Sequence, residues 1–158
     1  MHIADITMFY AARGGGVSTY LNAKARWLVQ RTRIRHTIVS PNVPTTDGKM
    51  RSLVTIPSIP FPGIHGYRMP LSVTGTARIL RGLEPDLIEV GDAGHCAWAA
   101  LRVKRKLNIP AVAFYHSDLP RIIGDRLGNV PARVARAYLG HLYRQFDLVM
   151  APSERMVQ

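Results

Sequence analysis

Two periodicities alternate along this chain. Short apolar runs rich in β-branched residues read as strands, at about 2–7 (HIADIT), 36–40 (HTIVS), 53–56 (LVTI), 86–90 (DLIEV), 111–115 (AVAFY) and 147–151 (DLVMA). Between them, apolar positions recur every three or four residues, the spacing that lines one face of a helix. Residues 16–31 put Val17, Tyr20, Leu21, Lys24, Ala25, Leu28 and Val29 on one stripe, apolar except for the stem of Lys24. Residues 93–107 repeat the pattern with Ala97, Ala100, Leu101 and Val103, and Asn108 and Pro110 end that helix before the fifth strand. A third helix over 131–146 carries Val134, Tyr138, Leu142 and Phe146. Strands that alternate with helices in this way predict an α/β fold, a Rossmann-like parallel sheet of about six strands with helices on both faces. Residues 57–70, PSIPFPGIHGYRMP, have four prolines, two glycines and no regular period, and read as a stiffened loop. At the other end, APSERM reads as a strand running into a helix capped by Ser153, and the chain stops barely one turn later, as if cut.

A length of 158 residues suits one domain with one core. No stretch approaches the roughly 20 uninterrupted apolar residues of a membrane-spanning helix. The first residues open a strand pattern rather than a secretory signal, so the expected location is the cytoplasm. Cys96, the one cysteine, lies in an apolar run and is expected to be a small buried hydrophobe. Charge changes the picture more than composition does. Lys and Arg number 21 against 10 Asp and Glu, a net charge of +11 whose field attracts anions. The bases gather as Lys24, Arg26, Arg31, Arg33 and Arg35, then over 102–106, then as Arg133, Arg136 and Arg144. Each cluster reads either as a solvated helix face or as part of a shared basic surface. Nucleic acid, phosphorylated substrates and acidic lipid would all answer to such a surface, but no recognition-helix motif or aromatic stacking platform supports nucleic acid.

The candidate chemistry lies where strands end. Gly14, Gly15 and Gly16 join the first strand to the first helix, where backbone amides and the helix dipole favour an anion such as phosphate; a plain tight turn is the competing reading. Thr19 stands where a dinucleotide fingerprint has its third glycine, and the second strand closes in Ser40 rather than an acid, which argues against a nicotinamide site. No Gly-Lys-Ser/Thr follows, so the phosphate loop of nucleoside triphosphatases is absent. His116 follows the fifth strand directly, in the layer where an open parallel sheet binds ligands, and Ser117 and Asp118 beside it suit sugar hydroxyls or a helix cap. Asp92 and His95, after the fourth strand, are weaker candidates, because Asp92 also suits the cap of the next helix. No cysteine and histidine set has metal-ligand spacing and no serine sits in a Gly-x-Ser-x-Gly elbow, so no metal site or hydrolase is expected.

Taken in order, GGGVSTYL, PDLIEVGD, AFYHSDLP and FDLVMAPSERM resemble the amino-terminal half of retaining GT-B glycosyltransferases that use nucleotide sugars, most of all the branch with α-mannosyltransferases and glycolipid hexosyltransferases. The resemblance covers nearly the whole chain. It implies an amino-terminal, acceptor-side domain over 1–158, a nucleoside-diphosphate sugar as donor substrate, no cofactor, and a hydroxyl acceptor for which lipid linkage or a phosphate would suit the basic helices. It also implies that Gly15 and Gly16 border the donor diphosphate, that His116 faces the donor sugar, and that Asp118 belongs to the site, with Asp92 on the acceptor side. Contact with the inner face of an anionic membrane is expected from the same basic helices. One departure matters. Such enzymes grip the nucleotide through a second Rossmann-like domain with two glutamates separated by seven residues, whereas the glutamates here are Glu84, Glu89 and Glu154, no two of them so spaced. The carboxy-terminal domain is absent from this chain, and the chain alone is expected to have little or no transferase activity. A basic binding module without catalysis, holding nucleic acid, anionic lipid or a protein, and a truncated remnant that has lost its reaction, are the competing readings.

Overall fold

A computed structural model of the chain describes residues 1–10, 15–46, 48, 51–60, 66–116 and 119–151. In chain order these form β1 (His2–Ile6), α1 (Gly16–Arg31), β2 (Arg35–Ser40), β3 (Arg51–Thr55), β4 (Ser58–Pro60), β5 (Arg68–Pro70) and α2 (Val73–Gly82). There follow β6 (Leu87–Val90), α3 (His95–Leu107), β7 (Ala111–Phe114), α4 (Leu119–Leu127), α5 (Asn129–Tyr143) and β8 (Leu148–Met150). Six strands form one parallel sheet in the order β3-β2-β1-β6-β7-β8, which is the expected Rossmann-like α/β arrangement. The order reverses between β1 and β6, so the loops leaving these neighbours diverge and open a crevice at the carboxyl ends of the strands.

The two faces of this sheet differ. Because side chains alternate along a strand, Ala4 and Ile6 of β1 point the same way as Ile88 and Val90 of β6 and join Ala97, Ala100 and Leu101 of α3 in an apolar cluster. On the opposite face Ile38 of β2 meets Leu21 of α1 in a smaller cluster. That second face is interrupted by charge: Asp5, paired in register with Ile38 and with Glu89, points toward α1.

Several expectations need correction. Residues 57–70 are not loop throughout: Ser58–Pro60 and Arg68–Pro70 pair antiparallel as a small ribbon. Arg68 secures it by donating from Nε to Ser58 Oγ at 2.9 Å and from Nη2 to the Ser58 carbonyl at 2.8 Å, a side-chain contribution that proline content hides. The sequence pattern assigns no element to 71–85, yet α2 forms there. Ser72 caps it by accepting the Gly75 amide at 3.1 Å, and Thr76 and Leu80 bury one face beside α3. The β-branched and glycine residues of VTGTARILRG lower its helix propensity, and packing against α3 supplies what propensity does not. α4 is a second helix the pattern omits. On α5, Leu139 and Leu142 face inward, whereas Val134 is 65% exposed and Tyr138 is also exposed. This helix packs mainly on α4, and only its carboxy-terminal part reaches the core. Val29 of α1 is exposed for a similar reason: Ser18, Leu21, Ala25 and Leu28 define the buried line. Cys96 is fully buried, as expected. Ser153 and the helix it would cap lie outside the described residues.

Candidate functional site

The crevice is built from the ends of three strands and the start of one helix. His116 lies two residues past β7 and is half-buried. Its ring stacks on Phe114 with centroids 4.3 Å apart and meets the Tyr20 ring edge-on at 6.0 Å. Beneath it is Gly91, at the end of β6. A Cβ there would lie 3.3 Å from His116 Nε2 and 3.1 Å from Thr7, so a residue without a side chain lets the imidazole reach across the ends of β1 and β6. Burial lowers the His116 pKa. A neutral imidazole can donate or accept a hydrogen bond, which suits a substrate hydroxyl better than a fixed positive charge would.

Gly15 precedes α1 with φ of 104°, a conformation that side-chain-bearing residues adopt only under strain; no atom would crowd a Cβ there, so the backbone angle is what calls for glycine. Gly16 opens the helix. Gly15 at the cap position has no side chain to bond the first amides and the first turn holds no acid, so the positive end of the helix dipole meets no carboxylate from its own first turn. Val17 from that turn and His116 border the same small cavity, of about 10 Å³, together with Asp5, Thr7, Glu89 and Gly91. Such a volume admits one water molecule. A sugar or nucleotide would rest above it rather than within it. Gly14 and Asp118, with Ser117, lie outside the described residues.

Under the crevice is a buried set of charges that the sequence pattern does not single out. Lys24 Nζ donates to Asp5 Oδ1 at 2.8 Å and to Glu89 Oε2 at 2.7 Å. Tyr20 donates its hydroxyl to Glu89 Oε1 at 2.8 Å, and His36 Nε2 lies 2.7 Å from Asp5 Oδ2. Asp5, Glu89 and His36 are buried and Lys24 nearly so. Burial pulls the Lys24 pKa down, but the two carboxylates more than offset it, and the ammonium is stabilised overall. Burial and Glu89 raise the Tyr20 pKa and keep its phenol protonated. The set ties α1 to β1 and β6, and Tyr20 extends it to the His116 ring. Its signal in the sequence was three charges, one each in HIADIT, LIEV and the α1 stripe, that break otherwise apolar patterns.

Asp92 is buried. Its carboxylate accepts the Met8 amide at 3.0 Å and the Gly94 amide at 2.9 Å, and hydrogen-bonds Cys96, so it joins the end of β1 to the start of α3. Burial raises its pKa despite these bonds. His95 is the half-buried first residue of α3. Among the described residues no group of acids, histidines and cysteines could hold a metal ion.

The fold agrees with the comparisons to known proteins. The chain is 25% identical over 97% of its length to a GDP-mannose-dependent α-mannosyltransferase of Mycobacterium tuberculosis and covers 42% of it. It is 28% identical over 59% of its length to the sulfoquinovosyl transferase SQD2 of Arabidopsis thaliana, covering 19% of that protein. The structure of Phytolacca americana UGT2 superposes with a TM-score of 0.57 at 12% identity, across 96% of this chain and 47% of that one, a likeness of fold to one half of a GT-B enzyme. The chain therefore spans less than half the length of these proteins. The family model named Glycosyltransferase Family 4 matches residues 14–158, and the chain belongs to that family.

Proposed function

We propose that this chain is the amino-terminal, acceptor-side domain of a retaining hexosyltransferase that moves a hexose from a nucleoside diphosphate to a hydroxyl acceptor. The observation that carries the reading is His116 held across Gly91 and bordering one cavity with Val17 at the amino end of α1, in a chain that belongs to a sugar-transferring family. In this reading the α1 amides border the donor diphosphate, His116 hydrogen-bonds the sugar, Asp118 belongs to the same site, and Asp92 acts from below by fixing the Met8 and Gly94 amides. A second domain completes the nucleotide site. Two features support that division of labour. Glu89 is already engaged by Lys24 and Tyr20, and the cavity under His116 is far below the roughly 300 Å³ or more of a typical ligand pocket. GDP-mannose, the donor in the name of the mycobacterial relatives, is the first to test.

The test is transfer of labelled mannose by the complete enzyme and by this chain alone. The complete enzyme is expected to turn over, the isolated chain is not, and His116→Ala in the complete enzyme should abolish turnover while leaving thermal unfolding intact. Wild-type rates in that variant would overturn the role of His116.

A further inference from the structure

A second feature lies away from the crevice. α2 leads directly into β6 and α3 directly into β7, so the carboxyl ends of both helices lie at the amino ends of the strands, opposite His116. The groove between them has a volume of about 280 Å³ and is lined by Arg78 and Arg81 from α2 and by Arg102 and Lys106 from α3, with Thr74 at one end. Arg102 Nη1 donates to Thr74 Oγ1 at 2.8 Å. Among the described residues none of these four cations has an acidic partner, whereas Lys104, about half a turn before Lys106 and so on the other flank of α3, pairs with Asp147 at 2.9 Å.

Helix dipoles explain part of the arrangement. Arg81 and Lys106 stand in the last turns of their helices, where a cation opposes the negative end. Arg78 and Arg102 do not, and they add like charge to a groove already positive. Four cations with no counter-charge repel one another, and an anion that entered would remove the repulsion while gaining charge-assisted hydrogen bonds. Guanidinium forks match phosphate oxygens in pairs, and the groove is large enough for more than one phosphate.

We propose that this groove between α2 and α3 is a binding site for a phosphate-bearing ligand, separate from the crevice at His116. Its guanidinium groups take the phosphate oxygens, and the Thr74 hydroxyl and Lys106 take the remainder. A free phosphate ester and the headgroup of an anionic lipid share this chemistry.

The test measures thermal unfolding of this chain with sodium pyrophosphate against sodium chloride of equal ionic strength, and co-sedimentation with phosphatidylcholine vesicles with or without phosphatidylglycerol. Each is repeated with Arg78→Gln/Arg102→Gln and, as a charge-matched control, with Arg31→Gln/Arg33→Gln, whose exposed arginines lie outside the groove. Stabilisation by pyrophosphate, with apparent affinity at least about tenfold weaker in the groove variant and little changed in the control, supports a soluble phosphate ligand. The same loss seen only with phosphatidylglycerol vesicles supports a lipid headgroup. Equal losses in both variants, an unchanged response in the groove variant, citrate as effective as pyrophosphate, or no response to either anion source would overturn the proposal.

Discussion

The face of the sheet under α1 and the groove between α2 and α3 treat the same kind of residue in opposite ways. Lys24 sits within hydrogen-bond reach of two carboxylates and a few ångströms from a third partner's ring, Tyr20, and water has little access to it. Arg78, Arg81, Arg102 and Lys106 stand on open helix surfaces, and among the described residues none of them forms an ion pair. The contrast shows where charge serves structure and where it is left available. Taking a carboxylate or ammonium out of water is costly, so a buried ion persists only when its partners are complete. An exposed cation needs no partner to remain folded and stays free to meet one from outside.

The largest way to test this contrast is Lys24→Met. Two buried carboxylates would lose their counter-charge, and urea unfolding is expected to show a loss of about 3–5 kcal/mol. A loss below about 1 kcal/mol would mean that the carboxylates find water or take up protons at little cost.

His116 gives an intermediate case, governed by burial rather than by an ion pair. Its folded pKa is lowered, so its contribution to stability is fully present above the ordinary histidine value of about 6.5 and is lost as pH falls toward the folded value. His2, lowered by burial and then by Arg35, acts in the same direction. Stability should therefore decline on acidification below that range. The His116 ring protons, followed by NMR, should titrate below the free imidazole and keep that shift in high salt. A midpoint at or above the ordinary value would contradict the half-buried placement across Gly91.

The smallest effect belongs to the groove. With no added anion, Arg78→Gln/Arg102→Gln should change stability by no more than about 0.5 kcal/mol per site. Any gain from relieved repulsion should fade as ionic strength rises, whereas the Lys24→Met penalty should persist. A large loss in low salt would identify these arginines as structural and would remove the contrast.

Much of the architecture was readable because burial imposes a period. HTIVS and AVAFY are strands in a covered sheet, and the stripe through Leu21, Ala25 and Leu28 is the buried face of a helix, whatever lies beyond them. His116 and the glycines before α1 could be placed at a strand end and a helix start from their local order alone. The ribbon of β4 and β5 could not, because it depends on Arg68 reaching back to Ser58 across a proline-rich stretch. α2 could not either, because its face is completed by α3 rather than by its own propensity.

The amino-acid order thus determined the six strands of the sheet, the helices α1, α3 and α5 and their succession, since those follow from local spacing and the cost of exposing apolar surface. Only the tertiary structure decided that Lys24 and Glu89, 65 residues apart, form one ion pair, because their meeting depends on β1 and β6 becoming neighbours in the sheet. The same is true of the four cations gathered by α2 and α3. Charge attracts without regard to sequence distance, and the fold sets which charges come within reach.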